Sequence, residues 1–567
     1  MPASPAAERS AAPHSGLRTS VPREVVLACC IAVPLCLLVC HSAIAGDPWV
    51  LSSLFQYLAI IFFAVLILRL LPPFHQHDAL PEYTQAECAQ AECAGPAGLL
   101  IALAVGTLAY ARTVTFFFIS DDFEHLAVLR QPFTVSLWPQ FTRGQFDGHT
   151  YIFYRPLGFA SLFLEYRLWH NWAPGYHLTS LVLHLLAVAG VYYFCKQLAL
   201  SHRSCVAAAL VFAVLPVNVQ ALTWSACRFD QLATTFGIWS LVSAAGFRRT
   251  GRKAFYWMGL LLFVLAVLSK ENAYFIPLLW LALEFLTFAP QPDPSANRSY
   301  RSPGVWAPLL GYILVPLLMW ALRIRILGGI GGYYLTQDGT PVAKHFGRAS
   351  VTGILVHAPA VTLFGYNCLQ SHRWGLIAAA VTAAIFLTLC FFAKTTRKST
   401  RIVGFCLLWL FAAAAPAHFY FGQRDPALFY SRTLYFGSIA AAILIGTLLG
   451  QTFRSPDPKT HRLWTFAVVL LLAVSLQHNL EAWRRADRVS REFQAFLLER
   501  LPDPPPNLTL HIGGVPTILE GVPVFTTGLE NAARFAYSWR TDIYVRHTEY
   551  ENHRPPADAA NRYLLFR

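Results

Sequence analysis

The chain has 567 residues, of which 55% are hydrophobic and 13% are charged. Soluble globular proteins carry about 25% charged residues, so this composition argues against a cytosolic enzyme, a coiled coil and a disordered chain. The formal net charge is +14. The basic residues lie in short clusters between apolar runs, which is typical of membrane proteins and argues against a nucleic-acid partner.

Thirteen apolar runs are long enough to cross a bilayer, which takes about 20 residues. They cover residues 24–45, 50–71, 97–119, 177–199, 205–223, 231–247, 254–270, 273–289, 305–325, 375–393, 402–420, 433–451 and 463–479. The sequence therefore predicts an all-α polytopic membrane protein.

Basic clusters set the predicted orientation. The clusters at 248–253, 394–401 and 452–462 fall on the same side as the N-terminal tail, and the positive-inside rule makes that side cytoplasmic. An odd number of spans then places the C-terminus outside. The short tail and the lack of eukaryotic signals favour a bacterial inner (plasma) membrane.

The predicted organisation has four parts. Residues 1–23 form a cytoplasmic tail, and residues 24–96 hold two N-terminal spans and a loop. Residues 97–479 form the membrane core, with outer loops at 120–176 and 326–374; within the second loop we interpret 351–368 as interfacial or re-entrant, held against protein. Residues 480–567 form an outer C-terminal domain, in which strands at 507–513 and 541–547 and a helix near 527–538 predict an α+β fold.

Ionisable side chains gather where spans reach the outer surface, which in so apolar a chain indicates function. Asp121 and Asp122 follow the third span, and Glu124 and His125 come next. Adjacent carboxylates at an apolar edge lose hydration and repel each other, so at least one should have a raised pKa and be suited to accept a proton. A helix N-cap would explain one Asp but not both.

Four basic residues lie on the same predicted surface: Arg155, Arg228, Lys270 and Arg432. Snorkelling of a long side chain to the interface would explain each of them alone. Their joint position opposite the acidic pair instead predicts a site for a lipid-linked phosphate, which Arg can bind in bidentate fashion. The polar residues predicted to support this site are Tyr154, His177, His184, Asp230 and Glu271.

The order of these motifs resembles the GT-C superfamily of membrane glycosyltransferases. It is most similar to the O-mannosyltransferase-like group that includes the transmembrane and tetratricopeptide-containing proteins. The motifs are the acidic pair, YRPL at 154–157, YHLTSLVLH at 176–184, the stretch 216–230, SKE at 269–271 and SRTLYFGS at 431–438. In departures from the group, Leu215 and Asn218 replace its histidines, Ser431 replaces its Glu, and no tetratricopeptide repeats follow.

The resemblance implies a chemistry. A sugar would pass from a polyprenyl-phosphate donor to a hydroxyl of a protein, glycan or lipid acceptor outside the membrane, with inversion in a single displacement. It implies Asp121 as the base and Asp122 as its partner that positions the acceptor. The four basic residues would be candidates to hold the donor phosphate. No cofactor is implied, although some GT-C relatives use a divalent metal, for which Asp121, Glu124 and His125 would be a possible site.

Other functions stay open at this point. A polyprenyl-lipid flippase or transporter would place charges near the bilayer midplane and repeat its pattern of spans, and neither feature is found in the sequence. A non-catalytic assembly factor has no need of an acidic pair opposite four cations. A ligase or polymerase that moves whole glycans is a further alternative.

Overall fold

In a computed structural model, the described residues are 96–142, 151–284, 303–327, 332–333, 351–370, 377, 381–382, 384–385, 397–415, 428–451, 458–548 and 561–566. The predicted spans at 24–45 and 50–71, and most of the one at 375–393, lie outside these residues. So do the predicted N-terminal tail and the loop before residue 96.

The described part of the chain is mainly helical. Its α-helices are α1 (Ala97–Tyr110), α2 (Asp121–Leu129), α3 (Phe133–Ser136), α4 (Trp138–Thr142), α5 (Pro156–Trp169), α6 (Ala173–Gln197), α7 (His202–Val214), α8 (Val219–Thr223), α9 (Arg228–Thr250), α10 (Lys253–Ser269), α11 (Ile276–Ala282), α12 (Pro303–Leu327), α13 (Ala358–Phe364), α14 (Arg397–Ala414), α15 (Tyr435–Gln451), α16 (Pro458–Arg500) and α17 (Leu529–Ala536). Short 3-10 helices cover Ala111–Thr115, Pro216–Asn218, Ser225–Cys227, Glu271–Phe275 and Ser431–Leu434.

Within the described residues, five helices are long and apolar enough to cross a membrane. They are Ala97–Thr115, Ala173–Gln197, Pro308–Leu327, Ser431–Gly450 and Lys459–Arg500. A sixth candidate joins α7 to the segment Pro216–Thr223 through a bend of 43°. These helices support an integral membrane protein, whereas the count of thirteen spans stays a prediction.

The centre of the bundle is built from small residues. In the helix Ser431–Gly450, 94% of the apolar stretch is buried, and α15 packs along α7. Gly446 lies so close to α7 that a Cβ would come within 2.5 Å of the backbone nitrogen of Ala208. Small side chains let two helices approach this closely, which is how helices associate in membranes without a hydrophobic drive.

The predicted span at 205–223 is broken rather than straight. Helix α7 ends before Pro216, which has no N–H to donate to the helix and disfavours helical geometry at Leu215. Gly365 lies against this break, since a Cβ there would meet the backbone nitrogen of Val217 at 2.7 Å. The nearby helix Gly353–Phe364 is among the shorter apolar helices, below the length needed to span. The interpretation of 351–368 as re-entrant stays a prediction.

Helix α16 has 43 residues, a length of about 65 Å at 1.5 Å per residue. That is roughly twice the hydrocarbon thickness of a bilayer, so its charged second half extends beyond any membrane that its apolar first half crosses. The predicted span ended at residue 479, whereas this helix continues to Arg500.

A small sheet follows α16. Strand β3 (Leu508–Gly513) lies between β6 (Ile543–Thr548) and β7 (Asn561–Leu565), and both pairings are parallel. Helix α17 precedes β6, so the predicted strands and helix of this region are present. The other strands form two short antiparallel pairs, β1 (Tyr151–Ile152) with β2 (Gly332–Tyr333) and β4 (Ile518–Leu519) with β5 (Val522–Pro523). We call residues 508–566 the C-terminal unit; its location outside the membrane stays a prediction.

Candidate active site

The acidic pair begins helix α2 at a sharp change of chain direction. Ser120, which precedes the helix, has a φ of 46°, in the left-handed region that non-glycine residues rarely adopt. Its N–H donates to the carbonyl of Val524 in the C-terminal unit at 2.8 Å. Strained backbone of this kind persists where surrounding contacts fix it, and such positions cluster at functional sites.

Asp122 is the buried member of the pair, with 3% of its surface exposed. Its Oδ1 accepts from the N–H of Ala226 at 2.8 Å and its Oδ2 from that of Ile119 at 3.2 Å. Burial raises the pKa of the carboxyl to about 8, and the charge of Asp121 adds to this, although the two backbone bonds act in the opposite direction. The raised pKa expected for one of the pair therefore belongs to Asp122. Its contact with Ala226 ties α2 to the turn at 225–227.

Asp121 is the outward member of the pair and is partly exposed. Its Oδ1 accepts a hydrogen bond from the hydroxyl of Thr527 in the C-terminal unit. This carboxylate oxygen is therefore within hydrogen-bond reach of a hydroxyl group.

Glu124 and His125 make different contacts. Glu124 accepts from the side-chain amide of Asn531 at 2.8 Å, and burial raises its pKa. His125 lies edge-on to Phe159 and Phe229, with ring centroids 5.5 and 5.9 Å away, and burial lowers its pKa. In the described part of the chain no three His, Cys, Asp or Glu side chains are grouped to hold a metal ion, so the possible site formed by Asp121, Glu124 and His125 is not assembled.

Arg155 belongs to a group of charged side chains in which the sequence predicted Glu271 but not Arg323. Its Nε donates to Glu271 at 2.9 Å, and Arg323 donates to the other oxygen of Glu271 at 2.7 Å. Burial raises the pKa of Glu271, but the two guanidinium groups outweigh it and hold this pKa at about 2. Arg323 was missed because it lies near the end of an apolar run, although a charged residue in such a run is itself a functional signal.

Lys270 is paired with Asp230, with its Nζ 2.6 Å from each carboxylate oxygen. The charges of Arg155 and Arg432 also act on Lys270, so the three cations lie close together. We call Arg155, Lys270, Arg323 and Arg432 the cation cluster. The carboxylates of Asp230 and Glu271 are paired with members of this cluster.

Arg432 joins this cluster to the acidic pair. Its backbone N–H donates to the side chain of Gln220 at 2.9 Å, and its guanidinium lies 5.1 Å from the centroid of the Trp224 ring. Trp224 directly precedes the turn at 225–227 whose Ala226 binds Asp122. Phe229 forms a second connection, since its ring contacts His125 and lies 5.8 Å from the guanidinium of Arg155.

Arg228 was predicted to bind the donor phosphate, but its guanidinium group is bound inside the protein. It is 0% exposed and donates twice to Glu165, at 2.8 and 2.7 Å. It also donates to the hydroxyl of Ser180 at 3.1 Å and the carbonyl of Tyr176 at 2.8 Å. A phosphate would have to displace these partners from a closed interior, so Arg228 joins helices α5, α6 and α9 rather than forming part of the site.

The remaining predicted residues lie apart from the acidic pair. His184 hydrogen-bonds the hydroxyl of Tyr435 at 2.8 Å and the carbonyl of Ala213 at 3.2 Å, in the core between α6, α7 and α15. His177 is fully buried beside Phe116. The hydroxyl of Tyr154 donates to the carbonyl of Phe141 in α4 at 3.5 Å. These contacts are those of packing and do not bring the three side chains to the carboxylates.

A protein O-mannosyltransferase of Caenorhabditis elegans is 26% identical to this chain over 222 residues, or 37% of the chain. The predicted resemblance to O-mannosyltransferases is confirmed. The match spans 29% of the relative's own length, less than a third. No protein-family model matches the chain.

Two solved structures are similar to this chain over most of its length. The oligosaccharyltransferase of Archaeoglobus fulgidus, tethered with an acceptor peptide, is 13% identical, with 79% of this chain and 63% of that chain covered and a TM-score of 0.40. ArnT from Cupriavidus metallidurans, bound to undecaprenyl phosphate, is also 13% identical, with 80% and 90% covered and a TM-score of 0.33. These TM-scores are too low for either structure to bear on the fold or site of this chain.

Proposed function

We propose that this chain is a GT-C-type membrane glycosyltransferase that moves a sugar from a polyprenyl-phosphate donor to a hydroxyl acceptor at the extracytoplasmic surface. One observation carries the proposal: the segment 224–229 contacts both the acidic pair and the cation cluster, since Ala226 binds Asp122 and Trp224 lies against the guanidinium of Arg432. The resemblance to O-mannosyltransferases supports glycosyl transfer as the reaction. The acceptor is a protein, a glycan or a lipid.

Asp121 is the proposed base. The acceptor hydroxyl donates to its carboxylate, loses its proton to it, and forms a bond to the anomeric carbon of the sugar. The bond from that carbon to the phosphate oxygen breaks at the same time, so the configuration inverts and polyprenyl phosphate leaves. Asp122 supports Asp121 in two ways. Its two backbone hydrogen bonds hold α2 in place, and its raised pKa favours the neutral carboxyl, which adds no second negative charge beside Asp121.

The cation cluster is the proposed phosphate site. Negative charge on the phosphate grows as the sugar leaves, and fixed cations in a partly dry site stabilise that charge better than water does. Arg155 and Arg432 are the most direct candidates for contact, since each guanidinium lies against an aromatic ring, Phe153 at 4.0 Å and Trp224 at 5.1 Å. Glu271 holds Arg155 and Arg323 in a fixed arrangement, and Asp230 does the same for Lys270. Arg228 has no place in this set.

The test is turnover of defined donors by the purified protein. A panel of polyprenyl-phosphate sugars is offered with a membrane extract as acceptor, and released polyprenyl phosphate and transferred sugar are both measured. We expect one donor to be consumed by the wild type and not by Asp121→Asn. Asp542→Asn is the matched control, because Asp542 pairs with Arg540 at 2.7 Å away from the site. Since the proposed reaction uses no cofactor, a chelator should leave the rate unchanged.

Two outcomes would contradict the proposal. Equal turnover by Asp121→Asn and the wild type, at equal folded yield, would remove Asp121 as the base. A protein that binds or moves polyprenyl lipid while consuming no donor would instead be a flippase.

A further inference from the structure

The C-terminal unit contacts the acidic pair through one short segment, residues 524–531. The carbonyl of Val524 accepts from the N–H of Ser120 at 2.8 Å, and the N–H of Thr527 donates to the Ser120 hydroxyl at 3.3 Å. The Thr527 hydroxyl then donates to Asp121. Both backbone and side chain of this segment therefore bind the residues that begin α2.

Aromatic packing fixes the same interface. Phe123, which is 0% exposed, stacks on Phe525 at a centroid distance of 6.4 Å and meets Phe535 edge-on at 5.6 Å. Burial of these rings removes apolar surface from water and so stabilises the contact. The interface is thus a packed one and holds the segment in a defined position.

Gly528 determines how near the segment comes. Its φ is +75°, and a Cβ there would lie 2.4 Å from the carbonyl oxygen of Ser120. Only glycine meets both conditions without strain. Gly528 is therefore held against the backbone of Ser120. Thr527, the preceding residue that donates to Asp121, has little freedom to move away.

We propose that Thr527 is a positioning residue for the reaction, an inference that rests on the proposed role of Asp121. A carboxylate has two oxygens that can accept protons. The Thr527 hydroxyl occupies Oδ1 and fixes the plane of the carboxylate, which leaves Oδ2 to receive the proton of the acceptor. The C-terminal unit thereby completes the active site and does more than cover it.

The first experiment tests the hydroxyl of Thr527 independently of the size of the side chain. Thr527→Val keeps the shape and removes the donor, while Thr527→Ser keeps the donor. Thr526→Val is the matched control, since the Thr526 hydroxyl donates to the carbonyl of Thr517 at 3.2 Å. We expect Thr527→Val to lower kcat by about a hundredfold, the cost of a misplaced catalytic group, with KM for the donor unchanged. Thr527→Ser and Thr526→Val should keep the kcat of the wild type.

The second experiment moves Thr527 without altering it. Gly528→Ala forces the segment away from Ser120, and we expect a loss of kcat like that of Thr527→Val. Gly514→Ala is its control for stability, because Gly514 has a φ of +77° and its Cβ would meet the carbonyl oxygen of Phe566 at 2.1 Å. Both variants lose stability through the same kind of strain, but only Gly528→Ala should lose turnover in its folded fraction.

A wild-type kcat in Thr527→Val, or equal losses in Gly514→Ala and Gly528→Ala, would overturn the inference while leaving the proposed function intact. A wild type that consumes no donor would instead overturn the proposed function.

Discussion

At the scale of single residues, the two adjacent carboxylates of the acidic pair have different surroundings. Asp122 is buried and bound by two backbone N–H groups, whereas Asp121 faces outward and is bound by a hydroxyl. Their adjacency predicted that one pKa would be raised. It could not predict which one, because the burial of Asp122 depends on Ala226, which lies 104 residues further along the chain.

The raised pKa of Asp122 predicts how stability depends on pH. Its pKa is 3.8 without the fold and about 8 within it, so between these values the folded state binds a proton that the unfolded chain has lost. The stabilisation from this proton is complete below about pH 4 and is lost as the pH rises through about 8. Asp122→Asn should remove this component, as measured by thermal unfolding in detergent from acid to mildly alkaline pH. An unchanged pH dependence in the variant would show that Asp122 is not the titrating group.

The buried pair of Arg228 and Glu165 predicts an effect on stability rather than on donor binding. Arg228→Met would leave the Glu165 charge buried without its partner, which typically costs about 3–5 kcal/mol. Glu165→Gln in the same chain should recover much of this loss, because it removes the stranded charge. Thermal unfolding of the two single variants and the double variant measures the coupling. A stable Arg228→Met protein with a raised KM for the donor would return Arg228 to the phosphate site.

At the scale of elements, hydropathy located the helices but not their interruptions. The run at 205–223 reads as one span, yet Pro216 bends it, and the freed segment places Gln220 where it accepts from the N–H of Arg432. The Pro was a visible signal for the break; the contact, made across 212 residues of sequence, was not. Arg323 was hidden in the same way, because an average over an apolar run conceals a single charge.

Helix α12 offers a test of the cation cluster. Arg323→Met removes one of the four cations of the cluster, so we expect KM for the donor to rise about tenfold, a change of about 1.4 kcal/mol. Arg325 lies two residues along the same helix and is exposed. Arg325→Met should therefore keep the KM of the wild type. Equal KM values for both variants would exclude Arg323 from donor binding.

At the scale of the whole molecule, the site joins segments that are distant in the sequence. Alternation in the C-terminal region predicted β3 and β6, and the strands are there. No local pattern could predict that Thr527 would reach Asp121, since 406 residues separate them and the contact arises only from tertiary packing. The ordered motifs predicted a resemblance to O-mannosyltransferases, and the relative matched over 222 residues agrees with that prediction.

The most direct test of the central claim is single-turnover transfer with a saturating donor and a hydroxyl acceptor, comparing the wild type with Asp121→Asn. If Asp121 is the base of a glycosyl transfer, the wild type releases polyprenyl phosphate and glycosylates the acceptor in equal amounts, while the variant binds the donor and does neither. Transfer by the folded variant at the rate of the wild type would contradict this account.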